Sequence, residues 1–104
     1  MGEAAFNMKI IYSKLAKEQL TNIKEYIAAD NPKAAIKHLK TIKKKIELLQ
    51  DFPRLGKINA TFNSANIREH VVLGYKVIYK INNKKIELLA IYKYLDLDED
   101  QLDV

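Results

Sequence analysis

The sequence predicts an α+β fold in which an N-terminal strand and an antiparallel helical hairpin precede three strands of a mainly antiparallel sheet. Apolar residues recur with helical spacing before Gly56 and with a spacing of two after it. The Asn31-Pro32 pair divides the helical half into two segments joined by few residues. We therefore expect the order β-α-α-β-β-β, with the hairpin packed on one face of the sheet.

The first strand and the first helix are predicted to follow each other directly. Lys9 to Tyr12 is rich in β-branched and aromatic residues, as strands are. Ser13 is a favourable N-cap, so we expect a helix from there through Ala29. The apolar side of this helix is formed by Ala16, Leu20, Ile23 and Ile27.

The second helix is marked at both ends. Asn31 is its expected N-cap and Pro32 its first residue, where the missing N–H of proline is not needed. The segment Asp51 to Gly56 ends it. Its apolar stripe is formed by Ala35, Leu39, Ile42, Ile46 and Leu49. The opposite, solvated side carries Lys33, Lys37, Lys40 and Lys44.

Three strands are predicted in the remainder of the chain, after a polar loop or irregular edge strand over residues 57–66. They are Ile67 to Leu73, Tyr75 to Ile81 and Lys84 to Tyr92. The Asn82-Asn83 pair between the last two tolerates positive φ and suits a tight turn. The last strand is apolar on both faces, which predicts an interior position. One hairpin covers only one sheet face, so we expect a functional surface on the other.

The length of the chain predicts one domain, which we place over residues 8–94, with residues 1–7 as a cloning remnant or flexible extension. The chain has 104 residues and no cysteine, which excludes disulfides and thiolate zinc sites, and no apolar run long enough to span a membrane.

Five acids and no Lys or Arg occur after Lys93, so the preceding body carries 18 basic and 8 acidic residues. A body this basic favours a polyanion or an acidic protein partner. The acidic tail, residues 95–104, is predicted either to fold over the basic face or to be disordered.

No phosphate-binding loop, metal motif or Ser-His-Asp set is present in the sequence, and no cofactor is expected. His38 and His70 stand apart, which favours surface or packing roles. The remaining candidates are cations, Arg54, Lys57, Arg68 and Lys93, which we predict to bind the target. Arg68 is placed on the open sheet face if Ile67 and Val71 point inward, with an ion pair as its alternative role.

A series of short segments resembles the RelE/ParE superfamily of bacterial toxins. The resemblance spans about Met8 to Tyr94 and is carried in order by Asn31-Pro32, Ala34-Ala35, Ile46 to Leu49, Phe52-Pro53, Leu55-Gly56, Ile67 to His70, Tyr75 to Tyr79 and Ile86 to Ile91. It implies a small toxin of the bacterial cytoplasm, encoded beside an antitoxin that neutralises it.

Two branches of the superfamily imply different mechanisms. The RelE-like branch cleaves mRNA on the ribosome, and there Arg68, Lys93 and Tyr94 would take the catalytic positions. The ParE-like branch binds DNA gyrase, and its Asn-Pro hairpin and Pro-x-x-Gly helix end are closer to this sequence. We favour the ParE-like reading, with the ribonuclease and an unrelated basic interaction module as alternatives.

The resemblance also implies a partner. We expect an acidic, amphipathic antitoxin segment along the helical hairpin or across the open sheet face, because the body of the chain is basic. The residues predicted to contact it are Leu20, Ile23, Ile27 and Leu39.

Overall fold

A computed structural model describes residues 8–93 and has the predicted α+β architecture, with two helices packed on one face of a five-stranded sheet. Its elements are β1 (Lys9–Tyr12), α1 (Lys14–Ala28), α2 (Pro32–Glu47), β2 (Lys57–Ile58), β3 (Ile67–Val72), β4 (Tyr75–Ile81) and β5 (Lys85–Lys93). A 3₁₀ turn, Leu48–Gln50, extends α2. Neither helix in the described region has the length and apolar content needed to cross a lipid bilayer.

Both helices begin where the sequence predicts. The Ser13 side chain accepts a hydrogen bond from the Ala16 N–H, and the Asn31 side chain accepts one from the Ala34 N–H. Pro32 occupies the first turn of α2. The side-chain oxygens thus satisfy backbone donors that have no partner inside the helix.

The sheet has the strand order β1-β5-β4-β3-β2. β1 runs parallel to β5, and the other neighbours are antiparallel. β5 therefore lies between β1 and β4, which confirms the interior position predicted from its two apolar faces. The predicted polar loop contains the two-residue edge strand β2, which pairs with β3.

The core lies between the helices and the covered sheet face. Its largest fully buried side chains come from α2, the 3₁₀ turn, β4 and β5: Ile42, Ile46, Leu49, Val77, Tyr79, Ile86, Leu88 and Ile91. The stripe predicted for α2 is thus the buried side of that helix. The other sheet face is left open by the helices, as expected.

The predicted orientation of β3 is wrong. Val72 is 3% exposed and belongs to the core, whereas Val71 is 45% exposed. Side chains alternate along a strand, so Arg68 lies on the helix-covered side with Val72. The register agrees, because Arg68 pairs with the buried Tyr79. Arg68 does not lie on the open sheet face.

The turns differ from expectation in their backbone conformation. Positive φ occurs at Leu73 and Gly74, in the turn between β3 and β4, rather than at Asn82 or Asn83. The β4–β5 connection is a three-residue loop in which the Asn82 N–H donates to the Lys85 carbonyl. A three-residue loop does not require the two left-handed residues of the tighter turn.

A bulge in β5 is supported by side chains at the start of the first helix. The β4–β5 register passes from Ile78↔Ala90 to Tyr79↔Leu88, so Leu89 is an extra residue. The Ser13 hydroxyl donates to the Leu89 carbonyl, and the Ile91 N–H donates to Gln19 Oε1 at 2.6 Å. These bonds satisfy backbone groups of β5 beyond the end of β1.

We predict that Ser13→Ala lowers the free energy of unfolding by about 1–2 kcal/mol, because the side chain both caps α1 and donates to β5. Thr41→Ala is the control, since the Thr41 hydroxyl donates to the Lys37 carbonyl on an exposed helix turn. Urea unfolding measures both variants. Equal losses in the two would contradict the dual role of Ser13.

Candidate functional site

A basic groove runs along the helical hairpin. It has a volume of about 530 Å³ and is lined by Tyr12, Lys17, Leu20, Thr21, Lys24, Ile36, Leu39, Lys40 and Lys43. The lining contains four lysines and no acid, and its apolar side chains come from β1, α1 and α2. An apolar surface between lysines is complementary to an amphipathic segment that carries acids.

The groove contains part of the predicted antitoxin-binding set. Leu20 and Leu39 line it, whereas Ile23 belongs to the core and Ile27 packs against the core. Ile36 was missed by the sequence reasoning, although it is an exposed apolar residue off the buried stripe of α2. Tyr12 was also missed because only the folded chain brings β1 beside the hairpin.

The Tyr12 phenol remains uncharged at neutral pH. Burial raises the pKa of Tyr12 above its ordinary value, and the nearby Glu47 carboxylate raises this pKa further. The ring therefore adds apolar surface and a neutral hydroxyl to the basic groove.

Tyr79 and Arg68 hold the loop between α2 and β2, and we call these two side chains and their bonds the loop clamp. The Tyr79 hydroxyl donates to the Pro53 carbonyl at 2.7 Å and accepts from the Gly56 N–H at 2.9 Å. Arg68 Nη1 donates to the Gly56 carbonyl at 2.9 Å, and Arg68 Nε donates to the Ala65 carbonyl at 3.0 Å. Arg68 thus has a structural role in joining two loops.

The close approach of the loop to the sheet also explains Gly56. A Cβ at this position would lie 2.5 Å from the Glu69 carbonyl oxygen and 2.9 Å from the Tyr79 hydroxyl. Both distances are too short for nonbonded atoms, and the first involves backbone that cannot rotate away. The glycine therefore allows the loop clamp to form.

The Tyr79 hydroxyl is a proton donor rather than a base at neutral pH. Burial raises the pKa of Tyr79, while the Gly56 hydrogen bond and the charges of Arg68 and Arg54 partly oppose that rise. The neutral phenol keeps the proton that it donates to Pro53. Arg54 therefore lies close enough to Tyr79 to act on it electrostatically.

Lys57 lies on the open sheet face, away from Arg68. Its ammonium is 3.7 Å from a Glu69 carboxylate oxygen, and Lys76 is 3.5 Å from the same oxygen. The Asn59 amide donates to the other Glu69 oxygen at 2.8 Å. The carboxylate is nearly buried, so these contacts compensate for its loss of hydration.

Lys93 lies at a different end of the sheet. Its ammonium is 5.5 Å from the centre of the Tyr26 ring, and it pairs in register with Tyr75. Tyr75 is four residues from Tyr79, or about 13 Å along the strand. The four predicted target-binding cations therefore occupy three places: Arg54 and Arg68 near the loop clamp, Lys57 on the open face, and Lys93 beside α1. Tyr94 and the acidic tail lie outside the described residues.

The histidines have separate packing environments. His38 makes an edge-to-face contact with Tyr75, with ring centres 6.3 Å apart. Burial lowers the pKa of His70, and Lys45 lowers it further, so this imidazole is neutral at physiological pH. Within residues 8–93, no three His, Cys, Asp or Glu side chains form a group able to hold a metal ion.

We predict that Tyr79→Phe destabilises the fold by about 1–3 kcal/mol, because it leaves the Gly56 N–H and the Pro53 carbonyl without their partner. Tyr92→Phe is the matched control at an exposed position, and we expect it to change stability by less than about 0.5 kcal/mol. Urea unfolding distinguishes them, and a Tyr79→Phe protein as stable as the control would refute the importance of the clamp.

The fold is similar to three solved structures. The chromosomal ParDE TA system from P. aeruginosa aligns with a TM-score of 0.70 at 19% identity, covering 85% of this chain and 97% of that one. The archaeal RelE-RelB complex from Pyrococcus horikoshii OT3 gives 0.59 at 16%, with coverages of 86% and 98%. The YoeB dimer from Staphylococcus aureus gives 0.56 at 16%, with coverages of 85% and 97%.

Sequence comparison identifies the family directly. No curated protein matches the chain significantly. The model of the ParE toxin of the type II toxin-antitoxin system parDE matches residues 10–94, which include every element from the second residue of β1 onward. The chain therefore belongs to the ParE toxin family of type II toxin–antitoxin systems.

Proposed function

We propose that this toxin arrests growth in the bacterial cytoplasm by binding DNA gyrase, and that a cognate antitoxin neutralises it. The hydrogen bonds of Arg68 are the observation that supports gyrase rather than mRNA as the target. The Arg68 guanidinium donates to the Gly56 and Ala65 carbonyls. A ribonuclease needs cations directed at the reacting phosphate and groups that move protons.

The positions of the other ribonuclease candidates also favour inhibition by contact. Lys93 contacts Tyr26 and is separated from Arg68 along the sheet by about four residues, or ~13 Å. The phenol of Tyr79 is bonded on both sides by the loop. Among the described residues, the four candidate cations thus lie in three separate places rather than around one phosphate-sized site. We retain Arg54, Lys57, Arg68 and Lys93 as target-binding candidates.

We further propose that the antitoxin places an acidic amphipathic helix in the basic groove. Leu20, Ile36 and Leu39 would receive its apolar side chains. The lysines on both rims would face its carboxylates, which supplies attraction over a distance as well as contact. A helix-in-groove mode fits the groove because its walls are themselves two antiparallel helices.

The gyrase assignment is tested with purified toxin and gyrase holoenzyme. We expect the toxin to inhibit supercoiling and to accumulate cleaved DNA, while 5′-end mapping in expressing cells shows intact transcripts. Toxin premixed with antitoxin is the control and should leave supercoiling normal.

Normal supercoiling together with codon-phased transcript cuts would instead support the ribonuclease. Loss of those cuts in Arg68→Ala counts for catalysis only if the variant remains folded, since Arg68 also holds the loop. Its unfolding midpoint is therefore measured beside its activity.

The groove assignment is tested by reversing charges on α2. We predict that Lys40→Glu with Lys43→Glu weakens antitoxin binding at least about tenfold. Two lysines that attract antitoxin carboxylates in the basic groove are then replaced by carboxylates that repel them. Lys33→Glu with Lys37→Glu makes the same charge change at exposed positions of the same helix outside the groove. Calorimetry at two salt concentrations measures both. Equal weakening by the two pairs would indicate general electrostatics and contradict a groove-bound antitoxin.

A further inference from the structure

A second recess lies at the loop that the clamp holds, and we call it the loop recess. It has a volume of about 500 Å³ and is lined by Phe52, Pro53, Arg54, Leu55 and Ile81. Phe52 is 59% exposed and Leu55 is 49% exposed. Clustered exposed apolar side chains on a small domain are typical of an interaction site.

The loop that exposes these side chains is held in one conformation. The Tyr79 hydroxyl bonds both the Pro53 carbonyl and the Gly56 N–H. The Leu55 N–H donates to the Phe52 carbonyl at 3.0 Å. Buried groups thus fix a segment whose own apolar side chains face solvent. Such preorganisation lowers the entropy lost when a partner binds.

The loop recess carries less positive charge than the basic groove. Arg54 is the cation in its lining, and Arg54 makes no hydrogen bond or ion pair within residues 8–93. The groove on the hairpin has four lysines. A nucleic-acid backbone requires several cations in succession. One arginine among apolar groups instead resembles a protein-binding hot spot, in which aromatic residues and arginine carry most of the affinity.

The same charge argues against a second copy of this chain as the occupant. A two-fold interface brings the same patch of both copies together. The two Arg54 guanidinium groups would then approach each other with no acid in the recess lining to separate them. The recess therefore suits a different protein, with an apolar side chain beside a carboxylate.

We propose that the loop recess is the surface that grips the protein target, DNA gyrase. An apolar side chain of gyrase enters between Phe52 and Leu55, and an adjacent carboxylate pairs with Arg54. This inference rests on the proposed function and assigns it a surface separate from the one given to the antitoxin.

The test compares variants of the purified full-length toxin. Leu55→Ser and Arg54→Glu alter the recess, and Leu15→Ser is the matched control, because Leu15 is a 50% exposed leucine on α1. We expect each recess variant to weaken gyrase binding at least about tenfold. Leu15→Ser should bind gyrase like wild type. All three should keep antitoxin affinity within about twofold and unfold at the wild-type midpoint.

Binding of gyrase by wild type and by both recess variants alike overturns the loop recess as the contact and leaves the proposed function standing. Absence of gyrase binding by wild type overturns both. Loss of antitoxin affinity in the recess variants would assign the recess to the antitoxin and overturn the inference. A wild-type dimer that Leu55→Ser dissociates would assign the recess to a second copy of the chain and would also overturn it.

Discussion

The Tyr79 hydroxyl makes the contact on which the conformation of the loop between α2 and β2 depends. It is fixed by the core, since Tyr79 is fully buried in β4, and it reaches the backbone of a loop more than twenty residues earlier at both Pro53 and Gly56. Gly56 is thereby held close to β3, the strand beside β4. Arg68 on β3 can therefore donate a hydrogen bond to the Gly56 carbonyl. The loop geometry thus follows from core packing.

The basic groove and the loop recess are two surfaces of different character. The basic groove is built from side chains of β1 and the two helices, and its four lysines attract acidic partners over a distance. The loop recess is largely apolar, so its binding energy would come mainly from removing apolar area from water. Under the proposed function, surfaces of such different character would discriminate between the two partners without sharing contacts.

The sequence predicted the elements because their signals are local. Caps at Ser13 and Asn31, the stripe of α2 and the final hairpin strands depend on residues near one another in the chain. The face of Arg68 was mispredicted because β3 has a valine on each face, Val71 and Val72. Taking Val71 instead of Val72 as the buried one exchanges the two faces for every residue of the strand. The groove joins β1 to two helices, and the clamp joins residues 23 and 26 positions apart, so neither has a local signal.

The separation of the two surfaces constrains how neutralisation would work. The basic groove and the loop recess share no lining residue. An antitoxin helix confined to the groove would therefore leave Phe52 and Leu55 accessible. Under the proposed function, neutralisation then requires the bound antitoxin to continue beyond the groove or to exclude gyrase by its bulk. The first route would take the antitoxin past the 3₁₀ turn that links α2 to the recess loop and would give that loop a contact with the antitoxin. The second route needs no contact with the loop, and it is the one consistent with separate surfaces for antitoxin and gyrase.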